Sequence, residues 1–86
     1  MDTYFYHKWK QQFESDIADI LSHRRKCNEL LKSQGKKEKF SEEKHFIVFV
    51  SEDGYFVMHR DDWEKQSKKN QKKVTSIYKE VYEIWN

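Results

Sequence analysis

Two short segments constrain this chain more than anything else in it. His45-Phe46-Ile47-Val48-Phe49-Val50-Ser51 and Tyr55-Phe56-Val57-Met58-His59-Arg60 are rich in β-branched and aromatic residues, and only Glu52-Asp53-Gly54 separates them. That pattern predicts a β-hairpin, with Asp-Gly as a two-residue turn because glycine accepts a positive φ without strain. Such a turn sets Val50 opposite Val57, Phe49 opposite Met58 and Val48 opposite His59. One face of the ribbon then carries Phe46, Val48, Val50, Tyr55, Val57 and His59, and the other Ile47, Phe49, Phe56, Met58 and Arg60. Both faces are apolar, whereas an ordinary antiparallel sheet keeps one face wet. Two strands alone are also marginal in water. The ribbon must therefore be sandwiched between helices, extended by a second copy of the chain, or both.

The flanking segments read as helices. Apolar residues fall at Tyr6, Trp9, Phe13, Ile17, Ile20, Cys27 and Leu31, in steps that suit an amphipathic helix. Asp2 or Thr3 is placed to cap its start and Gly35 to end it. Such a helix would run roughly 45 Å, against a radius of gyration of about 12 Å for a compact chain of this length. That conflict predicts a break or bend near Ser22-His23-Arg24-Arg25, where Arg24 interrupts the stripe, in preference to an overhang packed on a second chain. Lys36 to Lys44 reads as a polar connection anchored by Phe40. After Asp61-Asp62, a stripe at Val74, Ile77, Tyr78, Val81, Ile84 and Trp85 predicts one long final helix. Trp63, Ser67 and Asn70 share its apolar side, and Lys65, Lys68, Lys69 and Lys72 lie opposite. A separate helix beginning at Asn70 is disfavoured, because lysines would crowd its positive end. The expected architecture is α+β in the order α-β-β-α, a single small domain over residues 1–86.

Composition narrows the function classes. With 86 residues the core is thin, and partners often supply missing burial. One cysteine excludes an internal disulfide framework and a cysteine-based zinc cage, and suits a reducing compartment. The longest apolar run, Phe46–Val50, is far short of a membrane span. The first residues lack the layout of a signal peptide, so a soluble cytoplasmic protein without membrane attachment is expected. Fourteen lysines, six phenylalanines and five tyrosines stand against one alanine, two glycines and three arginines. By the codon table that mixture points to an AT-rich genome, where small chains of this kind are common in phages and mobile elements.

The net charge of +2 hides an uneven distribution. Residues 1–22 and 40–60 are each net −2, 23–39 net +5, and 61–86 net +1. A nucleic-acid surface would draw on Arg24, Arg25, Lys26, Lys36 and Lys37 in a first basic segment, residues 24–39, and on Lys65, Lys68, Lys69 and Lys72 in a second, residues 65–73, each phosphate contact adding salt-dependent affinity. The ordinary alternative is a solvated helix face, and the excess of lysine over arginine argues against base reading. His7, His23, His45 and His59 form no ligand spacing, so no metal and no cofactor are expected. His59 lies close to Asp61 and Asp62, but reads as a satisfied interface residue. Cys27, among Arg24, Arg25 and Lys26, fits core packing better than a reactive thiol. Glu42-Glu43-Lys44 has the acid-x-lysine spacing of metal-dependent nucleases but no earlier strand bearing the required Asp. A toxin-like nuclease using His59 or Arg60 is thus an outlier, and no catalytic residue is assigned.

Aromatics form the remaining feature. Phe13, Phe46, Phe49 and Phe56 read as core, while Trp9, Tyr55, Trp63, Tyr78, Tyr82 and Trp85 are candidates for partner binding, since Trp and Tyr are enriched in interface hot spots. The sequence reading is accordingly a non-enzymatic accessory or regulatory protein, homodimeric and binding another protein. A nucleic-acid module built on the two basic segments is the alternative.

Overall fold

A computed structural model describes residues 4–85. The elements run α1 (Tyr4–Ser33), β1 (His45–Val50), β2 (Tyr55–His59), α2 (Arg60–Glu64), α3 (Lys68–Ile77) and β3 (Glu80–Trp85). The fold is α+β, and β1 is the centre of an antiparallel sheet with the order β2-β1-β3.

Helix α1 is continuous, contrary to the expected break near Arg24. Arg24 does not interrupt the stripe because its own partners bury it: only 6% exposed, it is paired with carboxylates from α2. The helix is as long as the molecule, whose longest dimension is 47 Å, and the radius of gyration is 14.7 Å. It ends as expected at Gly35, whose φ is 72°. Gly35 N–H donates to Lys32 O at 3.0 Å and Lys36 N–H to Leu31 O at 2.9 Å, the paired bonds of a Schellman stop. The expected cap at Asp2 or Thr3 lies outside the described residues. Asn28 then fastens the returning loop. Its Nδ2 donates to Phe40 O at 2.8 Å, and its Oδ1 accepts from the N–H groups of Lys39 and Phe40, both at 3.1 Å.

The hairpin forms with its register displaced. Val50 pairs with Tyr55, Phe49 with Phe56, Val48 with Val57 and Phe46 with His59. The turn is the longer Ser51–Gly54 loop, closed by Ser51 N–H to Gly54 O at 2.8 Å. Among the described residues only Gly35 has a positive φ, so Gly54 does not serve as the left-handed turn residue. The displacement moves each partner by two positions, which leaves every side chain on its expected face. The inner face, toward α1, buries Phe46, Val48 and Val50 with Phe13 and Ile17. On the outer face Phe49 is fully buried beneath Trp63 at 5.0 Å and Tyr78 at 5.7 Å between ring centres.

The largest correction concerns the C-terminal region. In place of one helix from Asp61, the chain makes two helices and a third strand. β1 is buried on both faces, and its two edges carry backbone groups that need partners. β2 satisfies one edge and β3 the other. Glu80-Val81-Tyr82-Glu83-Ile84-Trp85 also alternates with period two: Tyr82 and Ile84 pack toward the core, while Val81, Glu83 and Trp85 are exposed. β-branched and aromatic residues suit that half-buried strand. His59 caps α2, its ring accepting from Asp61 N–H at 3.1 Å, and Ser67 caps α3, its Oγ accepting from Asn70 N–H at 3.2 Å. Helix α3 therefore starts beside Lys68 and Lys69 despite the unfavourable dipole.

Candidate binding surfaces

The residues that could do acid–base work are committed to bonds that hold the fold. His59 is almost fully buried. Its Nε2 lies 2.9 Å from Glu43 O, to which it donates while Nδ1 accepts from Asp61 N–H. Arg24 donates to Asp62 Oδ2 at 2.8 Å, to Asp61 Oδ2 at 3.3 Å and to Ser41 O at 3.2 Å. A shallow surface depression of about 400 Å³ opens here, lined by Asp19, Ile20, His23, Arg24, Phe40 and Asp62. At the same end of the sheet, Glu83 accepts from His45 at 2.5 Å and from Arg60 at 2.9 Å. The His45 hydrogen bond, with the Arg60 charge behind it, holds the Glu83 carboxyl below the usual carboxylate range. Arg60 is raised in turn, chiefly by its bond to Glu64. Cys27 is half-buried with His23 3.5 Å from its sulfur. Among the described residues no three His, Cys, Asp or Glu side chains converge to hold a metal ion.

The six candidate partner-binding aromatics divide between the two faces of the sheet. Trp9, Tyr55 and Tyr82 are half-buried against the inner core. Trp9 Nε1 donates to Ser51 O at 2.9 Å, Tyr55 Oη donates to Asp16 at 2.5 Å, and Tyr82 lies 4.4 Å from Tyr6 between ring centres. The Asp16 bond raises the Tyr55 phenol above its ordinary value. Trp63 and Tyr78 cover Phe49 on the outer face, so all five are half-buried against the core. Trp85 alone of the set is mainly exposed, packed edge-on against His45. Other exposed apolar residues were not singled out in the sequence: Phe56 reads as core there, and Val81 and Ile77 as part of a buried helical stripe.

The basic residues divide as well. In the first segment Arg24 is buried, so it is withdrawn from any phosphate surface, and Arg25 is paired with Glu42 at 3.2 Å. Lys32 is paired with Glu38 at 2.5 Å, which raises its pKa. Lys26, Lys36 and Lys37 are exposed. In the second segment, residues 65–73, Lys65, Lys68, Lys69 and Lys72 are all exposed, as is Lys73 at its end. No acid occurs from residue 65 to residue 79. No helix among the described residues is long and apolar enough to cross a membrane. Comparison with protein-family models, with curated proteins and with solved structures gives no match to this chain.

Proposed function

We propose that this chain is a non-enzymatic accessory protein that acts by binding a macromolecule, and that it works as a homodimer closed across the outer face of its sheet. Uneven cover of that face carries the reading. Phe49 is sealed, yet Phe56, Val81 and Trp85 on the same face are 39%, 46% and 68% exposed. The accessible surface, 6439 Å², exceeds the roughly 5,500 Å² expected of a folded chain of 10.7 kDa. The surplus, roughly 900 Å², is close to the ~800 Å² that each partner contributes to a standard interface. The exposed side of α1 contributes to that surplus, so the area sets the scale of the interface and the exposed apolar residues of the sheet its place. A binding role in preference to catalysis is supported by His59, Arg24, Asp61 and Asp62, whose polar atoms hold loops and helix ends together.

Light scattering on the purified chain is the test. The expected mass is twice 10.7 kDa, falling to the mass of one chain in a Val81→Glu, Trp85→Glu variant whose circular dichroism is unchanged. A single-chain mass for the native protein from micromolar to near-millimolar concentration overturns the dimer. If that single chain then binds a foreign protein and the same two changes abolish the complex, the face belongs to a protein target instead.

A further inference from the structure

We infer that α3 is a contact for the phosphate backbone of nucleic acid, made by one exposed lysine face that does not read base sequence. The inference deepens the binding role above by naming a target, and does not depend on the dimer. From Lys65 to Lys79 the chain carries six lysines and no acid. Among the described residues none of the six takes part in an ion pair, whereas Arg24, Arg25, Lys32 and Arg60 each hold a carboxylate. At 100° per residue Lys68, Lys72, Lys69 and Lys73 follow one another across about 140° of the helix surface. Val74, half-buried, and Gln71, which donates to Trp63 O at 2.8 Å, lie outside that arc and tie the helix to the rest of the fold.

This is the charge arrangement least suited to the helix by itself. Lys68–Lys72 and Lys69–Lys73 are like-charge pairs one turn apart, and Lys68 and Lys69 sit at the positive end of the helix dipole. No acid on α3 offsets them, and an external row of anions does. Phosphate suits the face better than other anionic surfaces. Lysine presents a compact point charge to a phosphate oxygen, while protein interface cores are depleted of it. A helix lying in a membrane surface needs an apolar side to bury; on α3 Val74 is turned toward the fold, which leaves Ile77 as the one exposed apolar residue of the helix. With neither arginine nor an aromatic ring on the arc, there is nothing to grip a base edge or stack on a base. The helix is about 15 Å long, and a duplex presents one charge per ~1.7 Å of axis, so several phosphates fall within its span.

Fluorescence anisotropy with a labelled mixed-sequence DNA duplex tests the inference on the full chain. We expect micromolar binding at low salt, indifferent to scrambling of the sequence, with a log–log salt slope of about −3 to −4 for four contacts. Lys68→Gln with Lys72→Gln should weaken binding tenfold or more and reduce the slope by about 2. Lys36→Gln with Lys37→Gln, on the other basic segment, should leave the slope unchanged. Circular dichroism reports whether each variant is folded, and the Val81→Glu, Trp85→Glu variant should keep the native slope per chain even if it is monomeric. Absence of duplex binding at low salt, or native binding by the Lys68/Lys72 variant, overturns the inference. Equal, lysine-dependent binding of poly-glutamate or of phosphatidylserine vesicles overturns it too, by assigning the face to an acidic protein or a lipid surface.

Discussion

Between residues 24 and 39 the strongest basic side chains reach back into the fold, whereas between 65 and 73 the lysines point away from it. Arg24 joins α1 to α2 and to the loop at Ser41, Arg25 holds Glu42, and Lys32 holds Glu38. Among the described residues Lys65, Lys68, Lys69, Lys72 and Lys73 pair with no carboxylate. A local excess of charge therefore says little about binding until the acids that face it are located. The acids that quench the first segment are Asp61 and Asp62 of α2, far away in the chain, and Glu38 and Glu42 of the loop after α1, and among the described residues none of them pairs with the second.

Removing charge should hurt the first segment and relieve the second. Arg24→Ala should cost about 2–3 kcal/mol in urea unfolding, less than a fully buried pair because Asp61 and Asp62 are 39% and 49% exposed. A loss near zero would make that region as idle in the fold as α3. Asn28→Ala strips the partners from two backbone N–H groups and should cost about 2 kcal/mol, with faster hydrogen exchange at Lys39 and Phe40. Gly35→Ala should cost about 1 kcal/mol, measured by the same unfolding curve, since open space surrounds the Cα and only the positive φ resists a side chain. Lys69→Gln should act in the opposite direction and stabilise the chain by a few tenths of a kcal/mol, seen as a small rise in the midpoint. The smallest effect is expected at Lys32, whose pKa is raised by Glu38. Its contribution is complete below the unfolded value of about 10.4 and fades as pH rises through the higher folded value. Lys32→Gln should flatten that alkaline limb.

Local signals in the sequence carried well. The three- and four-residue steps from Tyr6 to Leu31 gave α1, Gly35 gave its stop, and the apolar run from Phe46 to Val50 required cover on both faces, which α1, Trp63 and Tyr78 supply. What could not be read depends on distant partners. Val81, Ile84 and Trp85 fit a helical stripe and a strand equally well on spacing alone, and the open edge of β1, some 30 residues earlier, decides for the strand. Arg24 reads as a flaw in an apolar stripe until Asp61 and Asp62 come beside it. The surface is legible in the same proportion. The exposure of the lysines between 65 and 73 is legible as a run with no apolar residue, whereas the half-burial of Trp9, Tyr55, Trp63, Tyr78 and Tyr82 and the exposure of Phe56 and Val81 are not, because they depend on which elements cover the sheet.

The order β2-β1-β3 has a consequence for the way the fold assembles. Until β3 docks, β1 lies beside β2 with α1 ready to cover one face, but its other edge is an unpaired apolar strand, the kind that recruits neighbouring chains. A folding polypeptide of this sequence is at its most adhesive before β3 is in place, and crowding sets the risk at that moment more than the stability of the completed fold does.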